Sequence, residues 1–293
     1  MIARIGIATA GMILLAASGR SQTVPEAGSR ALWDSEFLRQ RPAPKTTSAA
    51  RPEVPRPTAT RRESVPQPLG GALVGLTVWQ LRRSAMADEP GARVLVHSEK
   101  GDQEWTPERV SANTPLAEGQ RFRFSLESAR AGYLYVIDRE EYADGSFGDP
   151  HLIFPTAKIR GGRNRVSAGT VVELPSWDDS PPYVWLKRSR PDHVAEVLTI
   201  LVTPAALEGL RIGPEQLKLS AEEFATWQKN WGADVKSLSA PDQAGKAYTQ
   251  AEKFAAEGYQ DLTEADPTPQ TLFLVPAKDD EPLLVNVRLP IRK

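Results

Sequence analysis

The sequence of 293 residues contains no cysteine. That absence excludes disulfides, thiolate-bound metals, iron–sulfur clusters, a cysteine nucleophile and a lipid on an N-terminal cysteine. Histidine is nearly as scarce, with only His97, His151 and His193, too few for a histidine-rich metal centre. An excess of either charge is lacking too: 36 Lys and Arg stand against 37 Asp and Glu, and the formal net charge of -1 gives no electrostatic case for binding nucleic acid. No apolar run reaches the roughly 20 residues needed to cross a bilayer as a helix. No glycine loop leads from a strand into a helix to cradle phosphate, since Gly161-Gly162 sits in a basic turn from Arg160 to Arg165. A serine nucleophile would want a strained G-x-S-x-G turn, and the nearest stretch, Asp144-Gly145-Ser146-Phe147-Gly148, lacks that spacing.

What is present is organised in three parts. Met1-Ile2-Ala3-Arg4 is a short basic start, followed by an uncharged, mostly apolar run from Ile5 to Ala17 and then by small residues. These are the three parts of a secretory signal, expected over residues 1–19 with cleavage between Ser18 and Thr23. Residues 20–70 have no apolar periodicity. From Arg41 to Pro68 prolines recur every few residues, no aromatic appears, and basic residues outnumber acidic ones. Such a segment cannot bury enough apolar surface to offset the entropy of ordering it, so a disordered Pro/Arg-rich linker is expected. Ser29 to Gln40 is a candidate short helix within it.

From Gly71 the side-chain rhythm changes to a period of two. Phe122, Phe124 and Leu126 alternate with Arg121, Arg123 and Ser125, the mark of a strand with one buried face. Strands are expected over 74–81, 93–97, 121–127, 133–137, 151–154, 166–174, 183–186 and 194–202. Gly132 to Thr156 reads as a central hairpin, its two apolar runs joined by an acidic loop from Asp138 to Asp149. Ser220 with Glu223 predicts a capped helix to about Asn230, and Thr249 a second over Gln250–Glu257 ended by Gly258. Leu283, Val285, Val287, Leu289 and Ile291 alternate again, and with Thr271–Val275 predict a C-terminal hairpin over 271–291. The expected fold is mainly β: an antiparallel β-sandwich of about eight to ten strands, residues 71–293, with a two-helix insertion at about 207–268 and a disordered N-terminal arm.

No catalytic or metal-binding set stands out, and no cofactor is implied. The acidic loop does not supply ligands at the alternating positions a calcium loop needs, because Arg139, Tyr142 and Ala143 interrupt them. Aromatics in or beside loops are the better binding signal. Tyr142, Phe147, Trp177 and Trp185, with Trp105 and Tyr183 near them, could stack on sugar rings or grip a peptide at one end of the sandwich. Asp144 and Asp149 join Tyr142, Phe147, Trp177 and Trp185 as candidate binding residues.

The span Arg121 to Ala206 resembles a family of bacterial exported modules catalogued as domain of unknown function 4384. The resemblance rests on F-R-F at Phe122–Phe124, GYLYVID at Gly132–Asp138, LIFPT at Leu152–Thr156 and N-x-V-x-A-G at Asn164–Gly169. It continues in ELP at Glu173–Pro175 and in VLTILVTPAAL at Val197–Leu207. It implies a β-sandwich attached to varied signalling and envelope proteins, and supplies no catalytic residues. The expectation is an exported, non-enzymatic module, periplasmic or extracellular, that binds an envelope protein, a glycan or another ligand. No nucleic acid and no transmembrane span are expected in the mature chain. The alternatives are an envelope hydrolase acting on glycan or peptide, and a structural subunit that offers an unpaired strand edge.

Overall fold

The structure, a computed structural model, describes residues 71–96, 101–176, 179, 181–239, 243–258, 262–263 and 266–292. The signal, the linker, the short helix at 29–40 and Trp177 lie outside the described residues. The described chain is mainly β, with two antiparallel sheets and two α-helices.

The first sheet is built on β1 (Ala72–Arg83). One edge of β1 is taken by β13 (Thr271–Val275) at its start and by β3 (Gln103–Val110) at its end. Its other edge pairs with β4 (Arg121–Ser128), Val78 opposite Phe124. β4 is flanked in turn by β8 (Val172–Leu174) and β9 (Val184–Trp185). Beyond β3 and β13 lie β2 (Val94–Val96) and β12 (Lys236–Ser239).

The second sheet runs in the order β11 (Leu217–Lys218), β6 (His151–Phe154), β5 (Gly132–Tyr142), β10 (His193–Thr203), β14 (Leu283–Pro290). β7 (Arg165–Val166) pairs with the start of β5. There Gly132 passes so close to β10 that a Cβ would meet the carbonyl oxygen of Thr203 at 2.6 Å, which is why the position takes no side chain.

Between the sheets lies one core. Val74, Leu76 and Val78 of β1 and Phe122, Phe124 and Leu126 of β4 meet Leu134 and Val136 of β5 and Leu198, Ile200 and Val202 of β10. Val285, Val287 and Leu289 of β14 complete it. Each such side chain contributes about 1.5–3 kcal/mol by leaving water, so this layer is the main source of stability.

Both outer faces are also covered. Helix α1 (Ala221–Trp231) lays Phe224 and Trp227 on Tyr135, Ile137, Leu201 and Leu284 of the second sheet. That cover explains why β5 is apolar on both faces. Ser220 caps α1 by accepting from the Glu223 backbone N–H. Helix α2 (Gln250–Ala256) belongs to a segment on the opposite side, over the first sheet, and begins with a full capping box of Thr249 and Glu252. The insertion therefore divides, one helix-bearing part to each face.

That division is reached through polar burial. Glu252 of α2 pairs with Arg109 of β3, whose guanidinium lies 4.9 Å from the centre of the Trp79 ring. Tyr248 stands edge-on to Trp79 and hydrogen-bonds Glu173, which also pairs with Arg123 at 2.5 Å. Burial pushes the Glu173 carboxyl up, and Arg123, Tyr248 and Ser125 pull it back.

Three expectations change. Thr271–Val275 and Leu283–Pro290 are strands, but not a hairpin: β13 joins the first sheet beside β1, β14 the second beside β10. The short link between them carries the chain from one layer to the other. The acidic loop is shorter than expected, because β5 continues through Asp138, Arg139, Glu140 and Glu141 to Tyr142. β10 reaches down to His193 and pairs with this extension, which holds it extended. Finally, the region between the helices is not purely helical, since β12 adds to β13.

Candidate functional site

The extension of β5 sets up the site. Side chains alternate across a strand, so Asp138 and Glu140 point to the same face as Leu134 and Val136, into the space between the sheets. On β10, Glu196 shares that face with Leu198 and Ile200. The register places Asp138 opposite Leu198 and Glu140 opposite Glu196, so Asp138 and Glu196 are diagonal neighbours on one wall.

Here the apolar core gives way to a cleft of about 300 Å³ at one end of the sandwich. Its acidic wall carries Asp138, Glu196 and Leu198 from the second sheet, and Phe122, Phe124 and Leu174 from the first sheet face it. Trp185 and Lys187 border the opening, with the Lys187 ammonium 5.0 Å from the Trp185 ring centre. Trp185 is 49% exposed and so offers a free aromatic surface there.

The two acids are held in an environment hostile to charge. Asp138 Oδ1 and Glu196 Oε2 are shut off from solvent and accept no hydrogen bond among the described residues. Burial, and then the neighbouring Glu140, push the Asp138 carboxyl up to about 7. Burial, then Asp138 and Glu140, push Glu196 up to about 8. His193, fully buried, sets Nε2 3.6 Å from Glu196 Oε2 and 3.0 Å from the carbonyl of Ala195, with Nδ1 3.9 Å from Glu140. Near neutral pH the pair therefore holds at least one proton, and can accept or donate hydrogen bonds at the bottom of an apolar cleft.

The aromatic and acidic residues singled out from sequence fall in two places. Trp185 lies at the cleft mouth, where Arg121 reaches 5.5 Å from its ring and also stacks on Trp105 and Tyr183. Tyr142 and Phe147 lie at the β5–β6 turn instead. Tyr142 donates to Glu140 at 2.7 Å and is covered by Arg190, while Phe147 stacks with Arg139, whose other side rests on Phe224. Asp144 accepts from the Ser146 hydroxyl and backbone N–H, which lowers its pKa and tightens the turn. Asp149 pairs with Lys218 and is lowered by it. The cleft thus gathers Trp185 and excludes the turn residues. Among the described residues no three His, Asp or Glu side chains converge to hold a metal ion.

Sequence reasoning missed Asp138 and Glu196 as a pair. The sequence pattern puts Asp138 at the start of a loop. Glu196 carries a readable signal: a lone acid in the most apolar run of the chain, in phase with the inward Leu198, Ile200 and Val202. A scan against protein-family models found no matching family, and searches of curated proteins and of solved structures found no match.

Proposed function

We propose that the chain is an exported, non-enzymatic ligand-binding β-sandwich of the bacterial cell envelope, and that its ligand is a small molecule seated between the sheets. The observation that carries this reading is the cleft itself: aromatic and aliphatic walls that also carry two carboxyl groups with no lysine or arginine paired to either among the described residues. Binding sites in proteins have this make-up, mostly apolar with a few converging polar groups of perturbed pKa. The signal-like N-terminus and the resemblance to exported modules support the envelope as its place.

The test is to titrate the full chain with 1-naphthylmethylamine and 1-naphthylmethanol while blocking the cleft. Val184→Trp puts a large ring into the lining at a partly exposed position. Saturable binding of at least one probe to the parent chain, lost in the variant, is expected. Failure of both probes to saturate the parent chain would overturn the reading.

A second reading, an envelope hydrolase, is favoured by one specific observation, the same two carboxyl groups. Glycoside hydrolysis needs them on opposite sides of the scissile bond. Here they rise from adjacent strands of one sheet, facing aromatic side chains across the cleft, and this geometry argues for binding. New chain ends released from cell-wall fragments by the full chain, and not by a Glu196→Gln variant, would reverse the choice.

A further inference from the structure

The acids of the cleft point to the chemistry of the group they meet. Among the described residues, neither Asp138 nor Glu196 has a lysine or arginine within ion-pair distance. Lys187 borders the same cleft but lies against the Trp185 ring and pairs with neither acid. The groups that face the pair are Glu140 on β5, His193 on β10, His151 opposite Asp138 on β6, and Lys187 and Gln216 at the lining. Glu140 adds a third acid to the same wall.

We propose that the cleft recognises a protonated amine on an apolar body, with the ammonium seated between Asp138 and Glu196 and the body against Phe122 and Phe124. The proposal rests on the ligand-site reading above and names the head group. An ammonium brings three donors and no acceptor, which suits two carboxyl groups that line the cleft with no lysine or arginine paired to either among the described residues. An alcohol brings one donor and leaves the repulsion among the acids in place. A carboxylate adds a further negative charge to a wall that already resists its own. The facing phenyl rings add the attraction of an aromatic surface for a cation.

Seating a positive charge there reverses the cause of the raised acid pKa values. The ammonium favours the ionised carboxylates, so the pair sheds a proton to solvent as the amine enters. Affinity for the amine therefore rises as pH climbs through about 7 to 8, where Asp138 and Glu196 ionise.

Three probes with one ring system and different heads test this on the full chain: 1-naphthylmethylamine, 1-naphthylmethanol and 1-naphthoate. By calorimetry at pH 8 the amine is expected to bind at least tenfold tighter than the alcohol, with naphthoate weakest. Repeating the titration in buffers of different ionisation enthalpy should show proton release for the amine alone. Asp138→Asn with Glu196→Gln should abolish the preference of the cleft for the amine over the alcohol. Equal affinities of amine and alcohol for the parent chain, or a preference that survives the double substitution, overturn the amine assignment while the cleft stands as a binding site. If none of the three probes saturates, the ligand-site reading falls with it.

Discussion

Arg123 donates to the Glu173 carboxylate at 2.5 Å across neighbouring strands, with 1% and 3% of the two side chains exposed. Taking both charges out of water is costly, and only a full set of partners offsets it. The pair has that set: Arg123 also reaches the Pro182 carbonyl, and Glu173 accepts from Tyr248 and Ser125. Tyr248 belongs to the segment over the first sheet, so this ion pair joins the inserted segment to the β layer.

Breaking the pair from one side is therefore expected to be severe. Glu173→Ala leaves Arg123 buried without its carboxylate and should cost about 3–5 kcal/mol. Replacing both, Arg123→Met with Glu173→Leu, should cost clearly less than the sum of the single changes. Urea unfolding of the full chain measures both. A Glu173→Ala loss below about 1 kcal/mol would place the ion pair in solvent instead.

The cleft acids should mark the stability profile with pH. Both have folded pKa values above their ordinary ones, near 7 for Asp138 and 8 for Glu196. A carboxyl raised by folding favours the fold in its protonated form. Its contribution is complete below about pH 4 and is lost as pH rises through 7 to 8. Asp138→Asn with Glu196→Gln should leave stability near pH 4 almost unchanged and raise it at pH 8.5, by on the order of 2–4 kcal/mol. Unfolding midpoints at the two pH values are the measurement. An unchanged difference across that range would show that the acids are solvated.

Much of the β layer is legible in the sequence because a half-buried strand must alternate. Phe122-Arg123-Phe124 and the run from Leu283 to Ile291 do so, and both are strands in the structure. β3 breaks the rule. Its residues QEWTPERV include a proline and two acids, and Arg109 is buried because Glu252 lies more than a hundred positions away to meet it. No local pattern carries a partner that distant. The cleft was hidden for a related reason. Asp138 and Glu140 look like the start of a polar loop until β10 is seen to pair with them, and that pairing turns a loop acid into a wall. Of the aromatics in or beside loops, Trp185 borders the cleft, whereas Tyr142 and Phe147 hold Arg190 and Arg139.

Helix α2 is short, and its capping box should carry much of its order. Thr249 accepts from the Glu252 backbone at 3.2 Å, and the Glu252 side chain returns to the Thr249 backbone at 3.0 Å. Thr249→Ala should cost about 1 kcal/mol and speed amide exchange across 250–256. Glu252→Gln keeps an acceptor for the Thr249 backbone but removes the charge that pairs with buried Arg109, and should cost more than Thr249→Ala. Hydrogen exchange separates the two. A Glu252→Gln loss near zero would mean that Glu252 acts only as a cap.

The last strand offers the sharpest test of a single shared interior. Leu289 is 1% exposed and belongs to the same cluster as Val74 and Leu76 of β1, although β14 pairs with β10 in the other sheet. Leu289→Ala removes buried methyl groups and leaves a cavity, so a loss of about 2–5 kcal/mol is expected. Where that loss appears matters more than its size. If the layers unfold as one unit, protection of slowly exchanging amides should fall by the same free energy in β1 as in β10. If the loss is confined to β14 and β10, the two sheets have separable stability. In that event the cluster shared by the two sheets would be packing without cooperativity.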